Sequence, residues 1–260
     1  MKWNEVFCNT FKSLREQIGP EFRRQVDMML PSMPMVEACR ADDLYSFQPF
    51  IAAGKLSVED MHQACDRYCL GKTKTGTPIY WMIDDLLRPL DAHIGDNWIS
   101  NLLKRREPLI ANWHVEHCLF GLHLLAGNLN GARHNCDIAK PKASNVTGGP
   151  DLSVSPISVV ESEASAMVLS VLFPELIWMA YATTSHLTPD LFAPLEGRSV
   201  TIYPCTDPTL SNYLFFQELV NLTLQRYDLD ITIDTTLENH STADQKDRCI
   251  DLLDFLKESL

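Results

Sequence analysis

Long apolar runs are absent from this sequence, although 45% of its residues are hydrophobic and 22% are charged, as in globular proteins. No stretch approaches the ~20 consecutive apolar residues of a membrane-spanning helix. The start of the chain, residues 1–5, also lacks the apolar run of a secretory signal. We therefore expect a cytoplasmic protein without a membrane role, and we expect its eight cysteines to be reduced thiols.

Basic residues are scarce in the second part of the chain. Residues 151–260 contain 5 Lys and Arg against 17 Asp and Glu, a net charge of 5 − 17 = −12, whereas residues 1–150 carry 17 of each and are neutral. Phosphate affinity comes from Lys and Arg, so the acidic part is not expected to bind nucleic acid by bulk electrostatics. The densest basic run, Lys104-Arg105-Arg106, is either a nucleic-acid contact or a solvated helix end.

The composition changes at residues 137–156, which are rich in Ser, Pro, Gly and Lys and nearly devoid of large apolar side chains. We interpret this segment as a linker or exposed loop between an N-terminal region, residues 1–140, and an α/β domain, residues 150–260. The N-terminal region is predicted to be mainly helical, α+β in class, with a helix that begins after the N-cap Ser57 and a β-hairpin that turns at Gly76.

Short apolar runs alternate with helical patterns after this boundary. The predicted strands are residues 157–160, 176–180, 200–203 and 231–233, and the predicted helices are residues 164–173, 210–227 and 247–256. Strands that alternate with helices pair in parallel through right-handed crossovers. The sequence therefore predicts a small, doubly wound parallel sheet.

Two of these strands end beside acidic residues. Glu161 and Glu163 follow the first strand, and Cys205 and Asp207 follow the third. The carboxyl ends of parallel strands share one edge of a sheet, so these side chains are expected to lie close together. Carboxylates in this arrangement bind Mg²⁺, and a further carboxylate can move a proton during phosphoryl transfer. Alternatively, the acids are solvated and cap the helices that follow.

A second group of candidate ligands lies between residues 114 and 136. Its members are His114, His117, Cys118, His123, His134 and Cys136. Zinc sites use these residue types but hold them in tight pairs, and this spacing matches no standard site. Core or surface histidines are the preferred interpretation.

The order of elements after residue 150 resembles the TOPRIM domain of primases, type IA and II topoisomerases and related nucleases. The segments VVESEASAMVLSVLFPELIWMA and LFAPLEGRSVTIYPCTDPT are similar to uncharacterised primase-like proteins of gut bacteria and their mobile elements. The upstream segments LGKTKTGTPIYWMID and HCLFGLHLL resemble the same proteins.

The resemblance implies a TOPRIM-type fold in which Glu161 is the general acid or base and Asp207 is the second acid of an Asp-x-Asp pair that binds Mg²⁺. Cys205 stands where the first acid of that pair belongs, and a thiol is a poor ligand for Mg²⁺, which prefers oxygen. Ala164 replaces a lysine of the pattern. Glu163 remains as a possible substitute ligand, as do the later Asp251 and Asp254.

Two functions follow from the resemblance. The first is a primase-related enzyme of DNA replication or mobile elements, a nucleotidyltransferase or nuclease that acts on single-stranded DNA or RNA through a weakened Mg²⁺ site. The second is a catalytically inactive binding or accessory protein that works with a replication or mobilisation protein. The missing acid, the missing lysine and the net charge of −12 favour the second function.

Overall fold

The computed structural model describes residues 31–106, 115–128 and 155–260. Some sequence predictions lie outside these ranges, namely those for residues 1–30, for most of the linker and for His114, His134 and Cys136. The described residues form two four-stranded sheets, one antiparallel and one parallel. None of the helices in these ranges is both long and apolar enough to cross a membrane.

The antiparallel sheet contains the predicted hairpin. Its strands, in the order in which they pair, are β1 (Gly71–Lys72), β2 (Pro78–Ile83), β3 (Pro89–Ile94) and β4 (Asn97–Trp98). The hairpin turn is closed by the Thr73 amide, which donates to the Thr77 carbonyl at 2.9 Å, and Gly76 adopts a φ of +86° that glycine tolerates. The prediction of a hairpin is confirmed, and two further strands extend it.

The sequence of strand β3 does not show the apolar alternation of a half-buried strand, because a polar residue occupies the buried centre of the strand. Asp91 is fully buried, and its carboxylate accepts hydrogen bonds from the amides of Ala92 at 2.8 Å and Ser100 at 3.0 Å and from the Ser100 hydroxyl. These donors satisfy a group whose burial would otherwise be costly. The strand therefore lacks the apolar alternation by which half-buried strands are recognised.

Within residues 31–106, four helices accompany the antiparallel sheet. They are α1 (Met33–Ala38), α2 (Gln48–Ala52), α3 (Val58–Arg67) and α4 (Ile99–Arg106), with 3₁₀ turns at Tyr45–Phe47 and Leu122–Asn128. Helix α3 begins as predicted. The Asp60 amide donates to Ser57 Oγ at 3.1 Å and the Ser57 amide donates to Asp60 Oδ2 at 2.8 Å, which forms a reciprocal capping box.

All four predicted strands of the second part are confirmed within a residue at their ends. They are β5 (Ile157–Val160), β6 (Ile177–Ala180), β7 (Ser199–Ile202) and β8 (Asp230–Ile233). They pair in parallel in the order β6–β5–β7–β8. The chain therefore moves to one side of β5 and then to the other, and the sheet has a topological switch point between β5 and β7.

The helices of this part are α5 (Glu163–Leu172), α6 (Ser211–Leu224), α7 (Thr236–His240), α8 (Ala243–Asp247) and α9 (Leu252–Lys257), with 3₁₀ turns at Thr184–His186 and Pro189–Leu195. The prediction of one helix over residues 247–256 is wrong. Cys249 adopts a φ of +51°, which interrupts the helix, and Asp251 then caps α9 by accepting from the Asp254 amide at 2.8 Å.

Helices cover both faces of the parallel sheet, as a doubly wound fold requires. Residues of α5 share one core with Phe47, Phe50 and Tyr68 from the N-terminal region, and residues of α6 belong to a second core. The Tyr68 hydroxyl donates to the Trp178 carbonyl at 2.7 Å. The predicted boundary near residues 140–150 therefore separates the two sheets, while one hydrophobic core extends across it.

Candidate functional site

Three side chains follow directly from neighbouring strand ends at the switch point. Glu161 follows β5, Tyr181 follows β6 and Cys205 lies three residues beyond β7. The Cys205 thiol donates a hydrogen bond to Glu161 Oε2, which confirms that the two strand ends bring these residues together. Cys205 and Tyr181 are 7% and 5% exposed, whereas Glu161 is half-buried, so the contact lies at the boundary between the core and solvent.

Cys205 is a neutral thiol in this position. Burial raises its pKa, and the hydrogen bond to Glu161 and the charge of that carboxylate raise the pKa further. The pKa of Tyr181 is raised by burial and then by Glu161 and Cys205. A thiol that stays protonated is neither an effective nucleophile nor a metal ligand. Cys205 therefore acts as a hydrogen-bond donor that satisfies Glu161.

Asp207 caps helix α6. Its Oδ1 accepts from the Thr209 amide at 2.8 Å, the Thr209 hydroxyl at 2.6 Å, and the Ser211 amide and hydroxyl, each at 3.1 Å. Its Oδ2 accepts from the Asn212 amide at 2.8 Å. Burial by itself would raise the pKa of Asp207, but these donors hold it well below the usual range. The alternative that this acid caps the following helix matches the structure.

Glu163 turns away from the switch point toward the antiparallel sheet. It is the first residue of α5, and its Oε1 lies 2.7 Å from His93 Nδ1 on β3. This hydrogen bond, followed by the charge of Glu163, raises the pKa of His93, although burial opposes the shift. The pair links the two sheets through a histidine that favours its protonated form.

His93 belongs to a cluster of rings that the sequence did not indicate. Its ring stacks on Trp98 at 4.9 Å, and Trp98 meets the edges of His117 and His186 at 4.8 and 5.1 Å. His117 stacks on His186 at 3.9 Å and lies 3.9 Å from the buried Asp91 carboxylate. Burial lowers the pKa of His186, opposite to the shift of His93.

The acids predicted to hold Mg²⁺ do not form a ligand set. Glu161 contacts Cys205, Asp207 caps α6 and Glu163 binds His93, so the three carboxylates serve separate partners. The substitute ligands are engaged as well: Asp251 accepts from the Ser165 hydroxyl, and Asp254 pairs with Lys257 at 2.9 Å. Within the described ranges, no group of three His, Cys, Asp or Glu side chains is placed to hold a metal ion. The arrangement therefore does not fit Mg²⁺, and the predicted ion stays a prediction.

The basic run lies on α4, next to the cluster of rings. Arg105 is exposed, Lys104 is half-buried and Arg106 is the last residue of the helix. The charge of Lys104 contributes to the lowered pKa of His186, after burial and against the opposing effect of Asp91. These positions do not test the predicted nucleic-acid contact, which stays a prediction.

His123 is a core residue, as the preferred interpretation of the His and Cys group expected. It is 7% exposed, and its Nε2 lies 3.1 Å from the Arg67 carbonyl. His93, Trp98 and His186 are the side chains that sequence reasoning missed. His93 and Trp98 pair across the short turn between β3 and β4, His186 joins them from a distant 3₁₀ turn, and no local motif marks the three.

Comparison with known proteins shows that part of the chain is similar to a family of unknown function. Residues 150–206 match a family described as a domain of unknown function, DUF6371. The match spans β5, α5, β6 and β7 and so contains Glu161, Tyr181 and Cys205, and it ends one residue before Asp207. No curated protein and no solved structure matches the chain. The chain is therefore similar, over part of its parallel-sheet region, to a family whose activity is not known.

Proposed function

We propose that this chain is a primase-related, TOPRIM-like protein of DNA replication or mobile elements that acts as a binding or accessory protein. One observation carries this proposal: the Cys205 thiol is hydrogen-bonded to Glu161 at the position where the resemblance calls for a metal-binding acid. The topological switch point, where ligands of open α/β sheets bind, is thus occupied by a neutral donor and its acceptor.

The chemistry of this contact argues against phosphotransfer. A hard cation such as Mg²⁺ is held by carboxylate oxygens and water, and replacement of one acid by a neutral thiol removes both an oxygen and a negative charge. Asp207, the remaining acid of the pair, already receives hydrogen bonds on both of its carboxylate oxygens. A metal ion would compete with the N-terminus of α6 for this side chain.

The second candidate function is the enzyme that the resemblance implies, with Glu161 as general acid or base. Its support is the contact between Glu161 and Cys205, since the residues expected at one site are in fact adjacent. The metal response of the parent separates the two candidates, and Cys205→Asp, which restores the acid that the pattern lacks, is the positive control for metal binding.

The test is a thermal melt in Mg²⁺ and Mn²⁺ of the parent, Cys205→Asp, Cys205→Ser and the double variant Cys205→Asp/Glu161→Gln. We expect no metal-dependent shift in the parent or in Cys205→Ser at millimolar metal. Cys205→Asp should melt lower without metal, because two carboxylates then adjoin, and should recover when metal is added. Binding to the folded state at 100 times Kd contributes about 2.7 kcal/mol.

The double variant controls for unspecific ion effects and should not respond to metal. The single variant Glu161→Gln is melted beside them. If the parent itself is stabilised by Mg²⁺ and Glu161→Gln removes that response, the accessory function is wrong and the phosphotransfer enzyme takes its place. Primer-synthesis and nuclease assays on single-stranded DNA and RNA would then identify the reaction.

A further inference from the structure

Exposed hydrophobic side chains are concentrated on one helix. Nine large hydrophobic side chains stand exposed in the described ranges, and five of them belong to α6 or to the residue before it. We call these five the outer face of α6: Leu210, Leu214, Phe215, Leu222 and Leu224. Leu214 is the most exposed of the five, at 56%. Single exposed leucines need no explanation, but five large apolar side chains exposed on and beside one helix indicate an interaction site.

The opposite face of α6 is already packed. Phe216, Leu219 and Val220 are buried in the core beneath the parallel sheet. The exposed side of the helix therefore also displays large apolar side chains, interspersed with Gln217, Glu218 and Asn221. In a doubly wound fold the outer side of such a helix normally faces water and carries polar residues.

The outer face is held in a fixed orientation before any partner arrives. The five hydrogen bonds to the Asp207 carboxylate anchor the first turn of the helix. Leu210, immediately before the helix, adopts a φ of +61°, a conformation that is unfavourable for a leucine, while its side chain stays 44% exposed. Residues held in such sparsely populated conformations cluster at functional sites.

Charge indicates what covers this face. Residues 207–225 contain no Lys, Arg or His, and Glu218 lies one turn from both Leu214 and Leu222. Arg226, the first cation after the helix, is paired with Asp190 at 3.1 Å. A second copy of the chain would bring another net charge of −12 to the same place, which disfavours self-association.

We propose that the outer face of α6 binds an amphipathic helix of another protein, whose apolar stripe is flanked by Lys or Arg. Such a helix would bury the five apolar side chains and pair its cations with Glu218 and the acidic surroundings. This inference rests on the proposed accessory function and identifies the surface and the class of partner through which it acts.

The test uses the full chain and a synthetic helix of about 18 residues made of Leu and Lys at amphipathic spacing, a length at which such helices are stable enough to assay. A peptide with Glu in place of Lys is the charge control. The variants are Leu214→Gln/Leu222→Gln and Glu218→Lys, and the matched control is Leu86→Gln, a leucine that is also 44% exposed but lies outside α6.

Fluorescence anisotropy should detect binding of the Leu/Lys peptide to the parent and to Leu86→Gln with equal affinity. The double variant and Glu218→Lys should each bind about tenfold more weakly or worse. The Leu/Glu peptide should not bind. Equal affinity for the parent and the double variant, or an equal loss in Leu86→Gln, would show that α6 is not the docking surface.

Sedimentation of the parent and the double variant tests whether a second copy of the chain covers the outer face of α6. A parent dimer that becomes monomeric in Leu214→Gln/Leu222→Gln would overturn the proposal, because a second copy would then cover the helix. The metal titration tests the contact between Glu161 and Cys205, whereas the peptide assay tests the outer face of α6, so the two proposals fail separately. A metal response of the parent refutes the accessory function, whereas failure of the parent to bind the Leu/Lys peptide refutes only the docking surface.

Discussion

Acid should destabilise this protein through His123, a histidine that the fold holds in its neutral form. The side chain is buried, and its Nε2–H donates to the Arg67 carbonyl at 3.1 Å. Its ring meets Tyr68 edge-on at a centroid distance of 6.4 Å, within the packed interior. Protonation would place a positive charge there without a carboxylate to pair with it, which the burial of an ion makes costly.

The size of the effect follows from the pKa. Burial lowers the pKa of His123 from 6.5 to about 4, despite the hydrogen bond to Arg67. A histidine whose pKa is lower in the folded state contributes stability above its unfolded-state pKa and loses it as the pH falls toward and below the folded-state pKa. The difference corresponds to about 3 kcal/mol of unfolding free energy, lost between pH 6.5 and pH 4.

The assay is urea unfolding at several pH values between 7 and 4 for the parent and His123→Gln, whose amide keeps a donor for Arg67. Carboxylates such as Asp207 and Asp91 titrate in both proteins, so their contributions cancel in the difference. The parent should lose about 3 kcal/mol relative to His123→Gln over this range. His240→Gln, at an exposed histidine, should follow the parent. Parallel pH curves for the parent and His123→Gln would refute the reasoning.

Two further predictions concern Glu163 and Asp207, whose partners in the structure are not the predicted metal ion. Glu163→Gln should lower the pKa of His93, because the hydrogen bond from Nδ1 to the carboxylate raises that pKa. An NMR titration of His93 measures the change, and an unchanged midpoint would contradict the pairing. Asp207→Ala should cost about 2 kcal/mol in urea unfolding through loss of the α6 cap, whereas Asp207→Asn, which keeps an oxygen acceptor, should cost less. Equal stability of Asp207→Ala and the parent would show that the cap is not needed.

The sequence predicted those parts of the fold whose signals are local. Strands β5 and β6 are short runs buried on both faces, so their apolar character marks them directly. The Ser57 capping box likewise identifies the start of α3 within one turn. Strand β3 was missed because the buried Asp91 depends on Ser100 for its donors, nine residues away. The interruption at Cys249 depends on a backbone conformation that no residue type in that segment requires.

The candidate site could be predicted in position but not in its contacts. Strand ends on one edge brought Glu161 and Cys205 together, as the topology requires. The direction of each side chain depended on neighbours elsewhere in the chain. Glu163 lies two residues after Glu161 but begins a helix, and its partner His93 is 70 residues earlier in the sequence. Sequence spacing carries no information on such distant partners.

The contact between Phe120 and Ala180 has a consequence for self-association. Phe120 exchanges two backbone hydrogen bonds with Ala180, of 2.8 and 3.1 Å, along the outer side of β6. Unpaired strand edges are templates on which further chains add, and here the chain's own backbone pairs with the last residue of that edge. At the opposite edge, β8 is only four residues long, begins at Asp230 and is followed by Asp234. Like charges in successive copies would repel there, so strand addition is opposed by backbone pairing at the end of β6 and by charge at the ends of β8.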